Sequence, residues 1–208
     1  CIVALSREKK FGFGMWGPYY EVVLPGHWLI EGGQSAAGAL LDHIVRAHGA
    51  GGEPDAATHA RIAARIAEMR AEEGEAFAAR LHVLPDFHGN RSPLADPHAL
   101  GVISGLSLDA SFDGLCRLYW RTAVAIALGI RQILEKLNDA GYPADVLHVA
   151  GGHVRNPLLL ELYRDVTGCR IVVPDSGDAV LLGTAMVAAV AGGLYPDLPA
   201  AGAGMQGG

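Results

Sequence analysis

The sequence predicts an α/β domain whose strands pair antiparallel at the start of the chain and parallel at its end. Three observations carry that reading. Two short β-branched and aromatic runs lead the chain, at 1–6 and 19–30. A long apolar helical pattern occupies 111–138, and from 146 to 191 the chain alternates strand, helix, strand, helix. Parallel strands need helical crossovers of this length, and strands covered on both faces lose their polar alternation, as 146–150 and 169–173 nearly do.

Taken in order, residues 1–6 (CIVALS) are β-prone and stop at the charged REKK that follows. The run 19–30 (YYEVVLPGHWLI) is extended, with Pro25 and Gly26 breaking its centre and demoting part of it to an edge or bulge. Residues 33–48 place Ala36, Ala37, Leu40, Leu41, Ile44 and Val45 on one face of an amphipathic helix. The Ala-, Arg- and Glu-rich stretch 53–81 sets Ile62, Ile66 and Met69 one turn apart, so it is helical with a solvated face, and 50–81 reads as a helical insertion or lid.

A brief strand at 81–84 precedes a Gly- and Pro-punctuated loop, 86–109, of the kind that shapes a binding surface. Ser111 caps the long helix, which Gly141 and Pro143 follow. Strand 146–150, the turn Gly151-Gly152, helix 156–167, strand 169–173 and helix 178–191 complete the repeat. Residues 200–208, nearly all Ala and Gly, predict a disordered tail.

Composition narrows the function classes. The 208 residues suit one domain, at the upper end of roughly 100–200 residues. Half are hydrophobic, 18% are charged and the net charge is −6, which excludes a disordered chain and a binder relying on excess basic charge for nucleic acid. The apolar stretch 179–194 is interrupted by Gly183, Thr184, Gly192 and Gly193 and falls short of the roughly 18–20 unbroken residues of a bilayer span. Cys1, Cys116 and Cys169 are too few and scattered for a disulfide framework, which points to a reducing, cytoplasmic setting. The chain opens on Cys1 instead of Met and without a basic leader, so it reads as a piece of a longer protein.

Three clusters are candidates for chemistry. In LHVAGGHVRNP (147–157) a buried strand ends in two glycines, and a helix starts with Asn156 as N-cap and Pro157 in its first turn. Such a turn lets a ligand approach the backbone, with the helix N-terminus offering unpaired N–H groups. The spacing is neither G-x-G-x-x-G nor a P-loop, and a plain left-handed turn explains the glycines equally well. In IEGGQSAAGALLDH (30–43), Glu31 is either a partner for a polyol hydroxyl or a solvated loop acid, and Gly32 and Gly33 either face a ligand or permit close packing. Asn90-Arg91-Ser92-Pro93 sits among the loop acids Asp86 and Asp96, where an Arg most often clamps the loop.

The histidines show no metal-ligand spacing and no metal-binding residues are expected; His82, His88 and His98 read as loop or surface groups, and His27 as a packed histidine at a strand end. No G-x-S-x-G nucleophile elbow occurs.

These clusters, with WGPYYEVVLPGHWLIEGGQS (16–35), HGNRSPLADPHALGVISGLSLD (88–109), ALGIRQILEKLNDAG (127–141), VAGGHVRNPLLLELYRDVTGC (149–169) and DAVLLGTAMVAAVAGGLYPDLPAA (178–201), fall in one order. In that order the chain resembles, over nearly its whole length, the C-terminal domain of the FGGY family of carbohydrate kinases, and within it the ribulokinase-like branch. The resemblance implies an actin-like, ribonuclease-H-like mixed sheet with flanking helices, the second half of a two-domain kinase that holds ATP, Mg²⁺ and a sugar or polyol between its halves.

It further implies that Gly151, Gly152 and Asn156 meet the adenosine of ATP, that Gly32 and Gly33 lie on the nucleotide's other side, that Glu31 lines the sugar pocket, and that the Asn90-Arg91 loop braces the domain without touching ligand. The family's catalytic Asp and its Gly-Thr-Ser phosphate loop precede the strand that begins at Cys1. The resemblance therefore places no catalytic residue in this chain and implies that the fragment alone is inactive. The implied partners are a ribulose- or ribitol-like pentulose or pentitol, the N-terminal sugar domain and, as an open option, a second copy in a homodimer; nucleic acid and membrane are not expected. The rival expectation is a non-catalytic actin-like domain that binds nucleotide for regulation.

Overall fold

A computed structural model of the chain describes residues 1–174 and 178–205. The leading runs form a three-stranded antiparallel sheet of β1 (Ile2–Ser6), β2 (Trp16–Tyr20) and β3 (Trp28–Gly32), with β3 in the centre. The register sets Glu31 opposite Val3 on one side and Trp16 on the other. The run 19–30 is thus not one interrupted strand. Its centre is the connection between β2 and β3, where the Gly26 N–H donates to the Glu21 carboxylate at 2.8 Å and the Glu21 N–H to the His27 carbonyl at 2.8 Å. His27 lies in that turn and faces the Pro25 carbonyl through Nδ1 at 2.8 Å.

Helix α1 (Ala37–Ala47) buries Leu40, Leu41, Ile44 and Val45, the face its periodicity predicts. Helix α2 (Ala56–Glu73) starts where the Asp55 carboxylate accepts the Thr58 N–H at 2.7 Å. Its Ile62, Ile66 and Met69 are fully buried, so α2 is docked in the core and is not raised over a cleft as a lid would be. The short strand β4 (His82–Leu84) finds an antiparallel partner inside the long loop, β5 (Val102–Ser104), which the sequence reading passes over.

The 28-residue helix α3 (Phe112–Asp139) is the spine. Its first half packs with α1, α2 and α4 (Pro157–Thr167), around Leu115, Tyr119, Ala123 and Ile126. Its second half buries Ile133, Leu134 and Leu137 with Ile30, Tyr142 and Cys169. Strands β6 (Val146–His148) and β7 (Arg170–Val172) pair in parallel across the α4 crossover. Antiparallel and parallel pairing therefore occur at the two ends of the chain as expected, but in three separate sheets.

Helix α5 (Ala179–Ala191) begins at the Asp178 cap and packs with α6 (Leu198–Met205). The tail expected from 200 to be disordered is helical to Met205, because Ala201 is fully buried and Gly204 admits the Tyr195 ring; the rest of that stretch, 206–208, lies outside the described residues. No helix among the described residues is long and apolar enough to cross a membrane.

Candidate functional site

The carboxyl ends of a parallel pair are where open α/β sheets place ligands, because the crossover helices begin there and leave a crevice between them. Here β6 ends at His148, and the Val149 N–H continues the ladder to the Val172 carbonyl at 2.8 Å. The chain then turns through Gly151, whose φ of 77° is one that residues with a Cβ rarely adopt. A 3₁₀ turn spans Gly151–Arg155, and a Cβ at 151 or 152 would meet nothing within 4 Å. Both glycines are exposed and border open space. A cleft of about 180 Å³ lies beside them, with Ala150, Gly151, Val154 and Arg155 on one wall and Val173, Pro174 and Asp178 to Val180 on the other.

Two buried tyrosines fix this turn to the helices. His153 meets the Tyr163 hydroxyl of α4 at 3.0 Å through Nδ1, and burial lowers its pKa below the ordinary 6.5. Asn156 caps α4 by accepting the Leu159 N–H and donates from Nδ2 to the Tyr119 hydroxyl of α3 at 3.1 Å. Burial pushes the Tyr119 phenol up to about 12, so at neutral pH it keeps its proton. Asn156 thus has a structural task in the helix cap, and its carboxamide orientation is set from inside the protein.

The other expected residues gather elsewhere. Glu31 receives the Arg91 guanidinium in a short ion pair, and the same guanidinium lies 4.7 Å over the Trp16 ring and 3.4 Å from the Cys1 sulfur. Arg91 therefore clamps the 86–109 loop to the first sheet, at the end of its central strand β3. The Gly33 N–H donates to the Ser92 hydroxyl at 3.2 Å, and a Cβ at 33 would touch the Arg91 stem at 3.3 Å. Gly32 is pressed inward: a Cβ there would lie 2.8 Å from both Ile133 Cγ2 and Met15 Sδ. The close-packing reading of these two glycines is what their surroundings display, and neither lines the cleft at Gly151.

A second cleft of about 340 Å³ opens beside Arg91, lined among others by Gln34, Ser35, Asp86, Asn90 and Gln132. Sequence reasoning missed Gln34, whose buried Oε1 has no hydrogen-bond partner among the described residues and whose amide occupies the space left by Gly129 in the middle of α3. The available signal was Gly129 itself, a glycine inside an otherwise strong helix. Also missed were Tyr119 and Tyr163, which act as polar anchors at the candidate turn.

The comparisons with known proteins agree in direction. A model of the FGGY family of carbohydrate kinases, C-terminal domain, matches residues 1–192. The chain is 42% identical over 206 residues to an FGGY carbohydrate kinase domain-containing protein of Xenopus laevis, covering 95% of this chain and 38% of that protein. It is 37% identical over 203 residues to a D-ribulokinase of Saccharomyces cerevisiae, covering 92% of this chain and 28% of that protein. Among solved structures, a xylulose kinase from Rhodospirillum rubrum superposes with a TM-score of 0.64 at 24% identity, over 91% of this chain and 36% of its own. The chain thus spans well under half the length of each of these proteins.

Proposed function

This chain belongs to the FGGY family of carbohydrate kinases, as a C-terminal domain with the actin-like α/β fold of sugar kinases, and from that premise we propose that it is the nucleotide-holding part of an ATP-dependent kinase acting on a pentulose or pentitol, ribulose or ribitol first. The observation that carries the reading is the family match over 1–192, joined to relatives named as ribulokinases. The geometry supports it at one place: the open turn of Gly151 and Gly152 outside the carboxyl ends of β6 and β7.

Under this reading ATP supplies the γ-phosphoryl group that passes to a sugar hydroxyl. Residues of this chain bind and orient. Gly151 and Gly152 give a surface without side chains against which adenosine rests, and Asn156, whose carboxamide bonds the Leu159 N–H and the Tyr119 hydroxyl at the start of α4, is the polar group we assign beside it. Glu31, neutralised in part by Arg91, is the group we assign to the sugar side. Among the described residues no three His, Cys, Asp or Glu side chains gather into a metal-holding group; Mg²⁺ would be held through the phosphates of the nucleotide. Positioning of this kind is the larger part of phosphoryl-transfer catalysis.

We place no general base in this chain and expect no turnover from it alone. The reading includes a further domain against this one, and Val180, Leu181 and Val187 on α5, all more than half exposed, support it as apolar surface uncovered among the described residues. The test is ADP release by the intact protein with ATP and a panel of pentuloses, pentitols and hexuloses. Ribulose- or ribitol-dependent release is expected; hexulose preference, or none with any sugar, contradicts the assignment.

A further inference from the structure

A four-member hydrogen-bonded chain crosses the first core and ends at Asn156. Asp42 on α1 meets His59 Nε2 at 3.0 Å, His59 Nδ1 on α2 meets the Tyr119 hydroxyl at 2.8 Å, and that hydroxyl receives the Asn156 Nδ2 proton at 3.1 Å. The His59 and Tyr119 rings lie 5.7 Å apart, and Tyr119 is fully buried. Three helices and the N-cap of a fourth therefore contribute one residue each to the chain.

Counting donors fixes its direction. Asn156 Oδ1 accepts the Leu159 N–H, so the amide nitrogen must face Tyr119, since the reverse orientation would set two donors against each other. The Tyr119 oxygen accepts that proton and has one of its own to give. Its remaining neighbour in the chain is His59 Nδ1, which accepts it in the tautomer that carries its own proton on Nε2. The His59 proton sits on Nε2 and points at the Asp42 carboxylate. Each of the three contacts pairs one donor with one acceptor in this arrangement, and removing His59 leaves the hydroxyl of the buried Tyr119 without that partner.

We infer that His59 is a positioning residue for the nucleotide: through Tyr119 it holds the Asn156 carboxamide in the one orientation that caps α4, at the end of the turn that Gly151 and Gly152 open. This inference rests on the nucleotide reading of that turn. It gives α2 a role in ligand affinity although α2 contributes nothing to the cleft beside Gly151.

The test measures KM for ATP, KM for the pentulose and kcat in the intact protein. His59→Leu removes both ring contacts, whereas His59→Gln keeps one acceptor for Tyr119 and one donor for Asp42. The His59→Leu variant should raise the ATP KM about tenfold, the scale of losing one buried hydrogen bond's alignment, with kcat and the sugar KM near wild type, and His59→Gln should recover most of the loss. If His59→Leu does not accumulate as folded protein, Tyr119→Phe, which deletes only the hydroxyl, carries the same expectation.

An unchanged ATP KM in His59→Leu or in Tyr119→Phe overturns the relay, as does an equal effect of His59→Leu and His59→Gln. Asn156→Ala, measured in parallel, separates the two levels. A raised ATP KM there beside wild-type values in the His59 and Tyr119 variants sinks the relay alone, whereas an unchanged ATP KM in Asn156→Ala removes the nucleotide role of Asn156 and the relay with it.

Discussion

His153 shows how a single side chain ties the candidate turn to pH. Its folded pKa is lowered, chiefly by burial, so below the ordinary 6.5 the unfolded chain binds a proton that the folded chain resists. Stability therefore rises with pH through the window that ends near 6.5 and is lost on acidification below it. Denaturant titrations across that window should show a slope that His153→Gln flattens; identical slopes would contradict it. Burial pushes the Cys116 thiol up to about 11, and Cys116 and Cys169 are buried while Cys1 is exposed. A thiol reagent at neutral pH should label Cys1 first and reach the other two only on unfolding.

Gly32 was legible as a small residue at a site, but not which neighbour demanded it. The structure supplies Ile133 and Met15, and Gly32→Ala should cost about 1–3 kcal/mol in urea unfolding through overpacking. Glu31 stood open between polyol partner and solvated acid because its Arg91 partner lies 60 residues along the chain, a separation that local pattern does not reach.

Among the elements, those fixed by local signals were legible and those fixed by a distant partner were not. Helix α3 was expected at 111–138 and occupies Phe112–Asp139, because Ser111 is a good cap and the apolar pattern is long. Ser111 accepts the Gly114 N–H at 3.1 Å, and Ser111→Ala should cost about 1 kcal/mol, read as a lower thermal midpoint without change in helix content. Helix α4 was placed by Asn156 and Pro157, and in the structure a left-handed Gly168 ends it.

Strand β5 was missed because three residues between Gly101 and Gly105 carry no period of their own; only pairing with β4 makes them a strand. The segment 19–30 was misjudged for the opposite reason. Its β-prone side chains continue through a turn that Glu21 and Gly26 close. In α2 the buried stripe was read correctly, but its position against α3 depends on contacts such as the bidentate Arg65–Asp113 pair, 2.8 Å at each nitrogen, which sequence spacing does not show.

At the scale of the whole chain, α3 joins two cores, one with α1, α2 and α4 and one beneath the first sheet. The candidate turn is anchored to the first core through Tyr119 and Tyr163, and the Glu31–Arg91 clamp stands over the second, where Gly32 packs on Ile133. The order of motifs revealed the family and fold, whereas the division of the expected residues between two places required coordinates. Gly151, Gly152 and Asn156 share one turn; Gly32, Gly33 and Glu31 share another surface.

We propose that nucleotide rests on the first of these, and photolabelling tests it. The intact protein irradiated with an adenine-azide analogue of ATP, with excess ATP as competitor, should carry competable label on the peptide containing 149–157. Competable label confined to peptides outside that turn, or no competable label, would contradict the account.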